Sequence, residues 1–195
     1  MEDFRSIYVT QTPTKELKIH NPTNYPLIGK GKQGAVFKIS PEQCVKIYAC
    51  KQHAEIEGRV YKSLQGSRII PKLYEIGHKY IIIEYVPGLT LKKYLQIKGR
   101  ISKSLACEIL FAFKEMKRLG ISRLNVNLRH IIVAKKRSFK VIDHVNSLKH
   151  HEPYPFKLFD YLDELGLLRS FLKYAKEIDR VMYDEWKVTM SKYFK

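Results

Sequence analysis

Three glycines near the start of the chain have the spacing of a loop that closes over phosphate groups. Gly29, Gly31 and Gly34 form the pattern G-x-G-x-x-G, in which small residues let backbone amides approach an anion closely. An apolar, strand-forming run at residues 35–39 follows them. A following helix would indicate a dinucleotide site, whereas a strand predicts that the glycines lie in a strand-turn-strand hairpin. An ordinary glycine-containing hairpin is the alternative that these residues alone leave open.

A lysine lies inside the next apolar run. Lys46 interrupts residues 44–48, which otherwise predict a short buried strand. It either points to solvent on a polar face or has a functional partner. Residues 51–64 predict a helix that carries two carboxylates, Glu57 and Glu55. The strand and the helix together therefore offer one cation and two candidate anions.

The second half of the chain places polar side chains at the ends of apolar segments. Residues 79–86 predict a buried strand that stops at a Pro-Gly break, and residues 105–119 predict a long helix that Gly120 ends. A loop at residues 123–133 and a short strand ending at Asp143 follow. An aspartate at such a position is commonly a turn or cap residue.

Taken in order, these segments resemble the eukaryotic-type protein kinases over residues 24–146. The glycine loop matches the kinase pattern G-x-G-x-x-G-x-V at every fixed position, including Val36. The resemblance implies that Lys46 binds the α- and β-phosphates of ATP and pairs with Glu57, with Glu55 as the fallback. It also implies that the strand before the Pro-Gly break leads into the hinge that holds adenine. The residues it assigns to nucleotide binding are Gly29, Gly31, Gly34, Val36, Lys46, Glu57, Ile83, Glu84 and Val86.

The catalytic loop departs from the kinase pattern H-R-D-L-x-x-x-N. Asn125 stands at the aspartate position, and His130 stands at the position of the metal-binding asparagine. Asp143 matches the magnesium-binding aspartate of D-F-G, although the two letters after it have changed. The resemblance assigns catalytic roles to Lys46, Asn125 and Asp143, and magnesium binding to Asp143 and His130. An amide cannot accept a proton as a carboxylate does, and magnesium prefers oxygen ligands, so weak activity is expected.

The resemblance predicts an α+β, bilobal protein-kinase-like fold. Residues 1–86 would form an N-lobe with an antiparallel sheet and one helix, beginning with a strand at residues 4–10. Residues 87–195 would form a truncated, mostly helical C-lobe, and the two lobes would make one kinase-like domain. No A-P-E sequence or long activation segment follows Asp143. Instead, residues 156–165 and 168–190 predict two amphipathic helices.

Composition limits the partners and the compartment. The formal net charge is +17, and residues 101–150 carry 11 Lys and Arg against 3 Asp and Glu. Such a surface attracts polyanions, but no RNA-binding aromatic signature or basic-zipper region accompanies it. Cys44, Cys50 and Cys107 are odd in number and lack zinc-ligand spacing. No leader or membrane-length apolar run is visible, and we expect a cytoplasmic protein.

Three functions of different classes follow from the sequence. The first is an ATP- and Mg²⁺-dependent serine/threonine protein kinase of weak or atypical activity, with a protein substrate. The second is a pseudokinase that binds nucleotide and acts as a scaffold for a protein partner. The third, less favoured, is a basic nucleic-acid-binding protein that uses the kinase fold only as a framework.

Overall fold

A computed structural model of the chain describes residues 3–134, 138–149 and 151–194. These residues form an α+β fold with antiparallel sheets and six α-helices. The strands are β1 (Tyr8–Gln11), β2 (Leu17–His20), β3 (Leu27–Lys30), β4 (Gly34–Lys38), β5 (Gln43–Tyr48), β6 (Leu73–Ile76), β7 (Tyr80–Glu84), β8 (Leu89–Thr90), β9 (Ile131–Val133) and β10 (Phe139–Val141). The helices are α1 (Lys51–Leu64), α2 (Leu91–Lys98), α3 (Lys103–Arg118), α4 (Phe156–Glu164), α5 (Leu168–Ile178) and α6 (Arg180–Thr189). None of the helices described is long and apolar enough to cross a membrane.

The chain divides into two compact units. The first unit consists of Met1–Gly66 and Ile70–Val86, and the second of Ser67–Ile69 and Pro87–Lys195. A boundary after residue 86 would leave Ser67–Ile69 in the first unit, whereas contacts place this segment in the second. The Ser67 hydroxyl donates to Glu115 Oε1 at 2.7 Å, and the Val141 N–H donates to the Ile69 carbonyl at 2.7 Å.

The first unit is built on a five-stranded antiparallel sheet. Its strand order is β3-β4-β5-β7-β6, and β1 and β2 form a separate antiparallel pair. The side chains buried between these elements are Phe4, Ile7, Val9, Leu17, Ala35, Phe37, Val45, Ile47 and Ile82. Alternate residues of a strand point to opposite faces, so the two sides of β5 are in different surroundings. Val45 and Ile47 join this core, and Lys46 lies on the other face.

Helix α1 covers one side of that sheet. It contains Ala54, Tyr61 and Leu64 on its buried face and contacts β5, β6 and β7. The helix predicted at residues 51–64 is confirmed with the same bounds. A Cβ atom at Gly58 would lie 2.9 Å from the Ile76 side chain, so the helix approaches β6 closely at this glycine.

The second unit combines a small sheet with five helices of the described chain. The sheet has the order β10-β9-β8, and the central helix α3 packs against α5. Its core contains Phe159, Phe171 and Trp186, with the Phe159 and Trp186 rings edge to face at 5.2 Å. Edge-to-face packing is a favoured geometry for aromatic pairs. These three side chains come from α4, α5 and α6, so they join the three helices in one core.

The prediction of a single helix at residues 168–190 is wrong, because two helices occupy this segment. Asp179 separates α5 from α6 with an extended backbone, at φ −140° and ψ 85°. Its side chain accepts a hydrogen bond from the Met182 N–H at 3.0 Å and so caps α6. Lys114 Nζ also lies 2.9 Å from Asp179 Oδ2, which fixes the break against α3.

The strand predicted at residues 4–10 begins later than expected. Phe4–Ser6 form a short 3₁₀ helix, and the strand starts at Tyr8. Asp3 explains the difference, because its carboxylate accepts a hydrogen bond from the Arg5 N–H at 2.9 Å. A side chain that caps local backbone in this way favours a turn over a strand.

Candidate functional site

The glycine loop is the turn between β3 and β4. The Gly31 N–H donates to the Gly34 carbonyl at 3.0 Å, which closes the turn. A Cβ atom on Gly34 would lie 2.3 Å from the Ile47 carbonyl oxygen, so no side chain fits there. Gly29 lies opposite Val36 in the ladder. The predicted hairpin is confirmed, and the strict need for glycine at position 34 comes from close approach to the neighbouring strand.

Lys46 forms the ion pair that the sequence predicts. Its Nζ lies 2.7 Å from Glu57 Oε2, with 14% of the Lys46 side chain and 1% of the Glu57 side chain exposed. Strand β5 brings Lys46 to the face covered by α1, and Glu57 lies on the buried face of that helix. Glu55, the fallback partner, is exposed. The structure therefore selects Glu57.

Tyr48 is a member of this cluster that sequence reasoning missed. Its hydroxyl donates to Glu57 Oε2 at 2.8 Å, and its side chain is completely buried. A buried carboxylate that accepts from both an ammonium and a hydroxyl is held in one orientation. The spacing of Lys46 and Tyr48 gave the signal, because residues two apart in a strand point to the same face.

The strand that precedes the predicted hinge lies where the sequence expects it. Ile83 is buried in β7, and Glu84 ends this strand. The Glu84 carboxylate accepts a hydrogen bond from the Lys72 N–H at 3.0 Å. Within the described residues, the backbone N–H and C=O of Val86 make no hydrogen bond. Val86 follows this strand, at the position that the resemblance assigns to the adenine-binding hinge.

Cys44 lies beside this strand. Its thiol donates to the Glu84 carbonyl at 3.8 Å. Burial, followed by the nearby Glu84 charge, raises the pKa of the Cys44 thiol to about 12. A thiol with so high a pKa carries almost none of the reactive thiolate form at neutral pH.

Asn125 is occupied by structural hydrogen bonds. Its Oδ1 atom accepts from the Lys157 N–H at 2.8 Å, in the first turn of α4. Lys157 Nζ also donates to the Asn125 carbonyl at 2.9 Å, and the Asn125 N–H donates to the Glu152 carbonyl at 3.2 Å. The residue that matches the catalytic aspartate of the kinase pattern therefore anchors a helix. Lys157 was missed because the kinase pattern ends before it.

His130 and Asp143 come together in the second unit. The pairing of β9 with β10 and a hydrogen bond from the Ile142 N–H to the His130 carbonyl, at 2.8 Å, bring them side by side. His130 Nε2 lies 3.5 Å from Asp143 Oδ2, and both side chains are more than one third exposed. Asp143 has a φ of 66°, a left-handed conformation that few non-glycine residues adopt. Backbone of this kind concentrates at functional sites.

The carboxylate and imidazole differ in their fit to magnesium. Asp143 offers the hard oxygen that magnesium prefers, whereas the His130 nitrogen suits softer cations. Across the described part of the chain, no group of three or more His, Cys, Asp or Glu residues could hold a metal ion. Asp143 thus offers one oxygen ligand of the kind that magnesium prefers, and His130 offers a nitrogen.

His144, which follows Asp143, is a buried structural residue. Its Nε2 lies 2.9 Å from the Val141 carbonyl, which can only accept, so Nε2 carries a proton. Its Nδ1 lies 3.0 Å from the Ser147 hydroxyl. These contacts hold the backbone immediately after Asp143 and account for a histidine at this position.

Two comparisons relate this geometry to known proteins. The chain is 28% identical over 122 residues to a Bacillus subtilis (strain 168) protein named "Putative serine/threonine-protein kinase YrzF", covering 60% of this chain and 57% of that protein. It is also 28% identical over 154 residues to a Caenorhabditis elegans protein named "cAMP-dependent protein kinase, catalytic subunit-like", covering 68% of this chain and 38% of that protein. No protein-family model matches the chain.

The chain spans less than two thirds of the length of either relative. The resemblance to the protein-kinase-like superfamily that the sequence motifs indicate is confirmed by these two relatives, at low identity and partial coverage. The fold prediction, an antiparallel α+β arrangement consistent with a small kinase-like protein, is confirmed as well.

Proposed function

We propose that the chain binds ATP with Mg²⁺ and transfers the γ-phosphoryl group slowly to Ser or Thr hydroxyls of a protein. The observation that carries this proposal is the ion pair at 2.7 Å between the buried Glu57 of α1 and Lys46, which lies in the sheet that also forms the glycine loop. A buried ion pair is weak evidence for stability, because hydrophobic residues of equal volume often do as well. A functional role for the ammonium explains it better.

Each unit would contribute its own groups. In the first unit, the glycine turn offers backbone close to phosphates, Lys46 offers charge that Glu57 orients, and Val86 offers free backbone groups. In the second unit, Asp143 would hold the magnesium ion. When bound, Mg-ATP supplies the phosphoryl group and a divalent charge. Phosphoryl transfer depends mainly on such positioning and charge.

The second candidate function is a nucleotide-binding scaffold without catalysis. One observation favours it: Asn125 Oδ1 is bound to the Lys157 N–H, so this side chain is not directed at a substrate hydroxyl. An amide at this position cannot act as a general base, a role typically worth about 10²- to 10⁴-fold in rate. Both candidate functions require Mg-ATP binding. They differ only in whether the γ-phosphoryl group is then transferred.

Mg-ATP binding can be tested by thermal unfolding. Mg-ATP at about 100 times its Kd should stabilise the protein by about 2.7 kcal/mol, because it binds the native state alone. Changing Lys46 alone would leave the buried Glu57 charge without its cation, so the test variant is Lys46→Met/Glu57→Gln, which removes both charges. Its matched control is Lys62→Met/Glu55→Gln, the same changes at exposed positions of α1.

The expected result is a melting-temperature rise with Mg-ATP in the wild type and in the control, and little or none in the test variant. Asp143→Ala should remove the dependence on magnesium, with Asp163→Ala on α4 as its exposed control. Millimolar Mg-ATP that leaves the wild-type melting temperature unchanged would refute the nucleotide proposal.

A further inference from the structure

A surface cavity of about 360 Å³ lies on the second unit. It is lined by Thr90, Lys92, Lys93, Gln96 and Arg129. Three of these residues are cationic, and none is acidic. They come from the end of β8, from α2 and from the 3₁₀ helix Leu128–His130, which contacts α2. The cavity is therefore a concave site of one charge sign, assembled from separate elements.

The positive charge at this cavity is not neutralised by the protein. Within the described chain, neither Lys93 nor Arg129 has a carboxylate within ion-pair distance, and Lys92 Nζ lies 5.0 Å from the centre of the Tyr161 ring. Some other basic residues of the same unit are paired, as Lys103–Glu177, Lys114–Asp179 and Lys117–Glu185 show. The three cations of this cavity are thus gathered around one hollow without such a partner among the described residues.

These groups fit an oxyanion. The Arg129 guanidinium presents a planar set of donors that matches a carboxylate or phosphate, and lysines add point charges. The Thr90 hydroxyl accepts a hydrogen bond from the Lys93 N–H at 3.2 Å, which leaves its O–H as a donor. The cations, this hydroxyl and the Gln96 amide are therefore the groups that can donate to a ligand. The volume is near the lower end for ligand pockets and suits one or two side chains.

The cavity flanks the segment that carries the catalytic position. Arg129 directly precedes His130, which lies 3.5 Å from Asp143. We propose that the cavity receives an anionic side chain of a peptide substrate, either a carboxylate or a phosphorylated Ser or Thr. This assignment rests on the proposed kinase function. If it holds, the kinase prefers substrates with acidic segments.

A peptide fits these observations better than a nucleic acid does. Tyr, Phe and Trp are absent from the lining residues, and single-stranded nucleic acids are bound on such side chains by stacking. Three cations in one hollow neutralise a local charge, whereas a duplex presents an extended run of phosphates. Nucleic acid is consequently the competing outcome of the experiment.

The experiment is a fluorescence-anisotropy titration of the whole chain at about 0.15 M salt. The probes are a labelled Ser-containing peptide with flanking Glu residues, its phosphoserine counterpart and its Glu-to-Gln neutral counterpart. The acidic and phosphorylated peptides should bind at least about tenfold more tightly than the neutral one. Whichever of these two binds more tightly identifies the oxyanion that the cavity prefers.

The test variant is Lys93→Gln/Arg129→Gln, and its matched control is Arg169→Gln/Lys187→Gln, the same charge change at exposed positions of α5 and α6. The test variant should lose about tenfold in affinity for the acidic peptide, and the control less than about twofold. Equal losses in both variants would show general electrostatic attraction and overturn the assignment. A short DNA duplex that binds more tightly than either anionic peptide, and depends on the same two residues, would overturn it as well.

Failure of this inference is separable from failure of the proposed function. The test variant should keep the wild-type melting temperature and its rise with Mg-ATP, because both changed residues are exposed and lie outside the predicted nucleotide residues. Loss of selective peptide binding with an intact Mg-ATP response counts against the cavity alone. A missing Mg-ATP response with selective peptide binding counts against the nucleotide proposal alone.

Discussion

The two units of this chain preserve the kinase motifs to different degrees. In the first unit, the glycine turn and the Lys46–Glu57 pair match the kinase residue pattern, and both form in the structure. In the second unit, Asn125 and His130 stand where the kinase pattern has aspartate and asparagine, and Asn125 binds the start of α4. The match to the kinase pattern is thus complete in the first unit at these residues and broken in the second. The two halves of the motif set can therefore be tested separately.

The two charged pairs also differ in exposure. Glu57 is almost completely buried against Lys46, whereas His130 and Asp143 are each more than one third exposed. An exposed pair contributes little to stability because water screens it, and a buried charge depends strongly on its partner. The first pair should therefore matter to folding as well as to ligand binding, and the second mainly to ligand binding.

The largest expected stability effect comes from breaking the buried pair of the first unit. Glu57→Ala removes the carboxylate to which both Lys46 and Tyr48 donate. The free energy of unfolding, measured by urea denaturation, should fall by about 3 to 5 kcal/mol. Glu55→Ala removes an exposed carboxylate of the same helix. It should change the free energy of unfolding by less than about 0.5 kcal/mol. Equal effects of the two changes would remove the distinction between the two carboxylates.

The next largest effect is expected from polar contacts of the second unit that lie outside the loop at residues 123–133. Glu115 binds Arg118 through both carboxylate oxygens and accepts from the Ser67 hydroxyl. These hydrogen bonds, from Arg118 first and Ser67 next, lower the pKa of the Glu115 carboxyl from 4.5 to about 2. Glu115→Gln should lower the free energy of unfolding by about 1 to 3 kcal/mol at neutral pH.

The sign of the pH dependence follows from this lowered pKa. The charged carboxylate stabilises the folded state above its unfolded pKa, and this contribution disappears as pH falls through the folded value of about 2. The difference in free energy of unfolding between wild type and Glu115→Gln should be constant above about pH 5 and shrink toward pH 2. A difference that stays the same over this range would contradict the role given to the Glu115 charge.

A smaller effect on stability is expected from changes at Asn125. Asn125→Ala removes the acceptor for the Lys157 N–H and should lower the free energy of unfolding by about 1 kcal/mol, as loss of a helix cap does. Asn125→Asp keeps an oxygen there and places negative charge at the start of α4, which is favourable. It should leave stability unchanged or slightly raised. Denaturation curves in which Asp destabilises as much as Ala would contradict the anchoring role.

Sequence reasoning predicted the Lys46–Glu57 contact of the first unit because its parts are local. Lys46 and Glu57 lie on adjacent elements, and the periodicities of one strand and one helix suffice to bring them together. Gly34 could be predicted to lie in a hairpin. The close approach of the Ile47 carbonyl, which excludes any side chain there, is visible only in the folded sheet.

The second unit was harder to predict because its contacts join distant residues. Asn125 and Lys157 are 32 positions apart, and no periodic pattern relates a loop residue to the start of a later helix. The break at Asp179 was missed for a different reason. Ala175, Met182 and Trp186 are all buried, so the apolar helical spacing continues across the break. Only the capping tendency of aspartate could have indicated it.

The remaining question is whether the chain transfers phosphate once it has bound Mg-ATP. The most direct measurement is a single-turnover assay with radiolabelled ATP, in which incorporation into Ser and Thr is followed in wild type, Asn125→Asp, Asn125→Asp/His130→Asn and Asp143→Ala. We expect slow transfer by wild type and none by Asp143→Ala. Asn125→Asp restores the carboxylate and should speed transfer by up to about 10²- to 10⁴-fold, and the double variant should be the fastest. If all variants except Asp143→Ala bind Mg-ATP and none transfers phosphate, the enzyme proposal is wrong and the scaffold function is supported.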